Sequence, residues 1–201
     1  MTDNIHPTAT VHAAAAVDPS AIVEADAMIG PGVTVGRRAT IGVRAILWRD
    51  AKVGEYATVE EEAVIRMSAV VGPGASVGIA TVVGRKSSLG AKVQVGNRSL
   101  VSDGVRVEDR ASIGSRATLR RDVVIGHGAR IGDRSRLGQL VQVGSGAVLG
   151  IRVGVGAESV IEPDARIGDR AAIGRRARVA RGAVVPSRAR VGDLDTVRSM
   201  Q

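Results

Sequence analysis

From Ile5 onward, every sixth residue of the chain is Ile, Val or Leu, through Val11, Val17, Val23, Ile29 and Val35 to Val185, Val191 and Val197. The run makes 33 consecutive hits although these residue types fill only 54 of 201 positions, so chance is excluded. Four residues after each aliphatic, until Asp195, stands a small or β-branched residue, as at Ala9, Ala15, Val33, Thr81 and Ser99. Glycine follows the aliphatic directly in 19 of the 33 repeats, among them Gly30, Gly36 and Gly126. A period of six suits neither a 3.6-residue helix nor a strand that must turn back in a hairpin. It is the period of a β-solenoid.

The small residue and the next aliphatic lie two apart, so on a strand both point into the core while the residue between them points out. Glycine after the aliphatic is expected to supply the positive φ of a sharp corner. Three hexads then close a triangular coil, and each strand pairs with its copies in the coils above and below at a spacing of roughly 4.8 Å. About eleven coils make a prism roughly 50 Å long. No coil can bury its own interior, so stability accumulates by stacking.

Runs such as Ile29-Gly-Pro-Gly-Val-Thr-Val-Gly and Ile125-Gly-His-Gly-Ala-Arg-Ile-Gly-Asp match the motif [LIV]-[GAED]-x-x-[STAV]-x. The chain resembles in this the hexapeptide-repeat family, the left-handed parallel β-helix of bacterial acyl- and acetyltransferases. The left hand is implied by the resemblance alone, since crossovers are right-handed as a rule. The expected architecture is therefore all-β: a single-stranded left-handed β-helix over residues 5–196, with tails at 1–4 and 197–201. The register is nowhere interrupted, so no large loop is expected to reach over a site.

One Trp, one Tyr and no Phe suit a narrow core of aliphatics and alanine. With no cysteine there is no disulfide framework and no thiolate metal site. The start Met1-Thr-Asp-Asn lacks the basic and apolar regions of a signal peptide, and no apolar run is long enough to span a membrane, so a cytoplasmic address is expected.

His127, one of three histidines, occupies the third position of its hexad. This looks like the family's catalytic-base segment, which implies that the imidazole deprotonates the hydroxyl or amine attacking a thioester; a pKa near neutrality suits that task. Asp109 and Ser145 stand in the same column one coil earlier and later, each at roughly 5 Å between Cα atoms, so Asp109 is the candidate to hold the ring. His6 and His12 read as corner residues of the first coil. A zinc site of the γ-carbonic-anhydrase kind needs three converging histidines, and His127 has no partner within a coil, so no metal is expected. The acidic run Glu60-Glu61-Glu62 reads as a solvated corner.

Two columns with a spacing of eighteen residues stand out. Arg98, Arg116, Arg134, Arg152, Arg170 and Arg188 share the fourth hexad position on one face. Neighbouring guanidinium groups about 5 Å apart in water repel by under ~1 kcal/mol, and Asp133 and Asp169 soften the repulsion. Residues 101–201 hold 18 basic and 11 acidic residues, against 10 and 9 in residues 1–100. Such a basic half can bind an anion, a nucleotide-sugar, a polyanion or the phosphates of acyl-CoA, with Arg152, Arg170 and Arg188 as candidate ligands. Aromatics to stack bases are missing, which argues against nucleic acid. The second column, Met28, Ile46, Val64, Val82 and Leu100, is apolar and points outward. A stripe of this size marks an interface, and the resemblance implies a homotrimer. At the ends, Asp195 in a core position and Pro7 and Pro19 in the first coils act against fibre growth.

Two functions fit. One is an acyltransferase that takes its acyl group from acyl-CoA or acyl carrier protein and passes it to a sugar-type acceptor, with His127 as general base. The other is a non-catalytic β-helix serving as scaffold or assembly partner, which the loopless register favours.

Overall fold

Each aliphatic after Ile5 ends one two-residue strand, and the 32 strands run in order from β1 (Thr10–Val11) to β32 (Thr196–Val197), while Ile5 forms a single parallel bridge to Val23. The computed structural model describes residues 4–199, so most of the expected N-terminal tail and the last two residues of the C-terminal one lie outside the described residues. Each strand pairs in parallel with the strand eighteen residues on, as in Val64↔Val82 and Val82↔Leu100. Three sheets of eleven, eleven and ten strands result. They form the faces of a triangular solenoid. Face 1 holds Thr10, Met28, Ile46 and their successors, face 2 Ala16, Thr34 and Lys52, and face 3 Ile22, Thr40 and Thr58. Edge I joins faces 1 and 2, edge II joins faces 2 and 3, and edge III joins face 3 to face 1 of the next coil. No helix occurs among the described residues.

The second residue of each strand and the small residue before it point inward. From Ala21 to Val185 this double column is buried, and large members such as Ile41, Ile65, Ile113 and Ile125 are at most 2 % exposed. Fully burying one such side chain is worth about 1.5–3 kcal/mol. At the ends Ile5, Val11, Val17, Val191 and Val197 are only partly covered, because no further coil stacks on them. Asp195, in the last of the small-residue core positions, is exposed and accepts a hydrogen bond from Gly192 N at 2.9 Å.

Glycine's part in the corner differs from the expectation. Gly30, Gly36 and Gly42, which follow the aliphatic, do not have positive φ; the positive φ falls two residues later, at Gly32, Arg38 and Arg44. The glycine is there because the next coil lies against it: a Cβ at Gly36 would stand 2.7 Å from the backbone nitrogen of Glu55. The turn position itself is taken mostly by side-chain-bearing residues in the left-handed region, each at a cost of about 1 kcal/mol relative to glycine. They are held there from the coil below, as when Arg44 N donates to Ala25 O at 2.9 Å.

Hydroxyls replace alanine in five core positions, Thr81, Ser87, Ser99, Ser135 and Ser159. Ser99 Oγ donates to Gly114 O at 2.9 Å and accepts from Ala117 N at 3.1 Å. Elsewhere those two corner groups bond to each other, as Ala45 N does to Gly42 O at 3.1 Å. The hydroxyl is inserted into an existing turn bond, so no polar side-chain atom is stranded in the core.

Candidate functional site

His127 stands at the outer position of edge II and is exposed. Its neighbours are glycines on both sides, and beyond it the next coil offers only Gly144-Ser145-Gly146. The site a Cβ would occupy at Gly128 has nothing within 4 Å. The backbone beside His127 is therefore open to a substrate at Gly128, whereas at Gly146 the Asp164 carboxylate stands 2.6 Å from where a Cβ would be. The main chain of His127 is pinned by Glu108, whose Oε2 accepts the His127 N–H at 2.8 Å. Asp109, one coil earlier, turns Oδ1 away from the ring to accept from Ala91 N at 2.7 Å, while its second oxygen has no hydrogen bond among the described residues. The column Asp109, His127 and Ser145 is thus assembled on one edge, and the carboxylate nearest to His127 in hydrogen-bonding terms is Glu108. Sequence reasoning passed over Glu108 because it sits in the hexad position that glycine usually fills.

The arginine column lies on another edge. Arg98, Arg116, Arg134, Arg152, Arg170 and Arg188 occupy the turn position of edge III, with φ of 56°, 57°, 58°, 60°, 60° and 64°. All six are exposed, and among the described residues none takes part in an ion pair. Asp133 and Asp169 do not pair with them; each uses Oδ1 to accept a backbone N–H of the coil below, from Ser115 and Ile151, both at 2.8 Å. Arg134, Arg152, Arg170 and Arg188 line a shallow groove of about 780 Å³ together with Asp133, Ile151, Asp169 and Ser187. One face of the prism, seven residues of chain, separates His127 from Arg134. That is at most about 25 Å.

On face 1 the apolar column is in place: Met28 is 52 % and Leu100 41 % exposed, with Ile46, Val64 and Val82 half-buried between them. It continues round edge I onto Trp48 and Met67, also largely exposed, and these line an almost wholly apolar groove of about 680 Å³ with Met28, Ile46 and Pro31. Trp48 belongs to this surface but not to the eighteen-residue column, which hid it from a reading by columns. Face 1 lies directly opposite edge II. A partner docked on the apolar stripe would therefore leave His127 uncovered.

A family model described as the GMPPB C-terminal domain matches residues 4–102. No curated protein matches the chain in sequence. Among solved structures, it is similar to the UDP-N-acetylglucosamine acyltransferase of Arabidopsis, with 22% identity and a TM-score of 0.74 over 90% of this chain and 70% of that one. It is also similar to the UDP-N-acetylglucosamine O-acyltransferase of Moraxella catarrhalis, with 18% identity and a TM-score of 0.55 over 92% and 71%. At these identities the likeness is one of fold, including the left hand of the coil. Among the described residues no helix is long and apolar enough to cross a membrane.

Proposed function

Starting from a hexapeptide-repeat protein built as a left-handed parallel β-helix, we propose that the chain is a cytoplasmic acyltransferase with His127 as its general base. The observation that carries this reading is the exposed His127 beside the open backbone of Gly128. The acceptor, a hydroxyl or amine of a sugar-type molecule, gives its proton to His127 as its oxygen or nitrogen attacks the thioester carbonyl. The new ester or amide bond forms as the carbon–sulfur bond breaks, and the thiolate recovers the proton from the imidazolium. Asp109, through its second oxygen, would orient the ring and stabilise its charge, while Glu108 fixes the His127 main chain. Arg152, Arg170 and Arg188 would take the phosphates of acyl-CoA, or an acidic patch of acyl carrier protein, one face away, so the acyl arm must reach across face 3. A homotrimer through Met28, Ile46, Val64, Val82 and Leu100 is part of the same proposal.

Release of free thiol from acetyl-CoA or acyl carrier protein, in the presence of nucleotide-sugar acceptors, tests the reading. His127→Ala should lower the rate about 10²–10⁴-fold, with Asp109→Asn costing less, and both variants should melt as the parent does. The second reading, a non-catalytic scaffold, is favoured by the placement of His127 opposite the apolar face, where no partner subunit and no loop encloses it. If no donor supports turnover, the scaffold reading holds; if His127→Ala leaves turnover intact, His127 is not the base.

A further inference from the structure

The charge of this protein is concentrated on one half of one edge. Over residues 94–190, edge III and the outward positions of the two faces beside it carry ten arginines: the six of the ladder plus Arg130, Arg136, Arg166 and Arg190. The only acids there are Asp133 and Asp169. The chain's net charge is +8. Ten minus two is also eight, so the other 18 basic and 18 acidic residues cancel and this strip holds the whole excess.

Elsewhere on the prism four arginines, Arg37 among them, form ion pairs among the described residues. Arg44, in the same column nearer the N-terminus, bonds Glu61 and Glu62 at 2.6 and 2.7 Å. Arg176 pairs with Glu158 at 2.8 Å, and Arg178 pairs with Glu162. The six ladder arginines have no such relief. Their backbones are nevertheless held alike, each N–H donating to the coil below, as at Arg134→Ser115 O (2.9 Å), Arg152→Asp133 O (2.8 Å) and Arg170→Ile151 O (2.8 Å). The guanidinium groups thus leave the prism in register, one per coil, along a straight track of about 24 Å.

We propose that this track binds an extended acidic polysaccharide, with one carboxylate of the polymer meeting each guanidinium or every second one. A guanidinium fork matches a carboxylate in two parallel hydrogen bonds. The column beside the ladder reads Asn97, Ser115, Asp133, Ile151, Asp169, Ser187. Amide, hydroxyl and carboxylate oxygens there suit sugar hydroxyls lying between the charged groups, and exposed Ile151 offers an apolar step for a ring face. The two aspartates disfavour a more densely charged chain such as polyphosphate. Single-stranded nucleic acid lacks a stacking platform, because the aromatics Trp48 and Tyr56 lie on edges I and II. This inference stands whether or not the chain transfers acyl groups.

Titration calorimetry of the full chain with oligogalacturonates tests it. An octasaccharide should bind at least about tenfold more tightly than a disaccharide, since it engages several arginines at once, and should weaken as salt rises. Arg134→Asn, Arg152→Asn and Arg170→Asn together should lower the affinity about tenfold or more; asparagine tolerates the left-handed turn, so the fold survives. Removing equal charge from edge I, with Arg120→Asn, Arg121→Asn and Arg175→Asn, should change affinity by less than about threefold. Equal losses in the two triple variants would reduce the effect to net charge and overturn the proposal. Binding of polyphosphate, single-stranded DNA, phosphatidylserine vesicles or acyl-CoA without binding of the octasaccharide overturns it as well.

Discussion

At the scale of single residues, the chain separates positions that look alike. Ser99 and Ile113 are both buried, yet they should respond very differently to truncation. In Ser99→Ala the Ala117 N–H and the Gly114 carbonyl are left facing each other and can form the direct turn bond already present in the alanine coils. The cost in a chemical-denaturation measurement should stay below about 1 kcal/mol. Ile113→Ala leaves a cavity between two stacked coils that cannot move together, and should cost about 2–5 kcal/mol. Glycines divide in the same way. Gly36→Ala forces a Cβ against the Glu55 backbone and should destabilise the chain strongly, whereas Gly128→Ala meets open space and carries only the strain of its turn.

At the scale of the strand and corner, the exposed ion pairs of edges I and II add a small dependence on pH. Hydrogen bonding to Arg176 holds the Glu158 carboxyl below its ordinary range, and hydrogen bonds from Arg178 and the Arg181 backbone do the same for Glu162. Asp18 is held low by the hydroxyl and N–H of Ser20. A carboxylate with a lowered folded-state pKa contributes stability that is fully present above its unfolded value and is lost as pH falls through the folded one. Melting temperatures should therefore be flat near neutrality and fall below about pH 4.5. Glu158→Gln with Glu162→Gln should flatten that acid limb slightly, since both carboxylates are half-buried at the surface and their arginine partners are exposed. The strands themselves were legible in the sequence because burial imposes one inward aliphatic per hexad without exception. The place of the positive φ was not: a glycine can be demanded by torsion or by a close neighbour, and only stacked coils show that Gly36 answers to Glu55. Arg152 on edge III and His127 on edge II could likewise be assigned to different edges by counting. What counting could not reveal is which oxygen of Asp109 is engaged, and with what.

At the scale of the whole molecule, the apolar surface on face 1 and Trp48 should hold subunits together. Val64→Lys with Val82→Lys places two unpaired charges in an apolar contact, and light scattering should show the proposed trimer shifting toward monomer while circular dichroism keeps its β signature. A parent that is monomeric at micromolar concentration would rule the interface out. Asp195, exposed at the last small-residue core position, is the corresponding device at the open end of the prism. Asp195→Val should make end-to-end association measurable by sedimentation, because it extends an apolar column to an unpaired sheet edge.

The unbroken repeat also makes the molecule a rotary device in its own primary structure. Removing a full coil, residues 73–90, shortens the prism by one step and leaves every downstream side chain pointing where it did. Removing a single hexad, residues 91–96, keeps the core pattern equally intact but turns everything downstream by a third of a revolution. The arginine track would then run along the edge opposite face 1 instead of beside it, and His127 would swing round to edge I, the edge that carries Trp48 and Met67. Two surfaces that are fixed relative to each other in this chain can thus be re-aimed by deleting six residues, with no new side chain introduced.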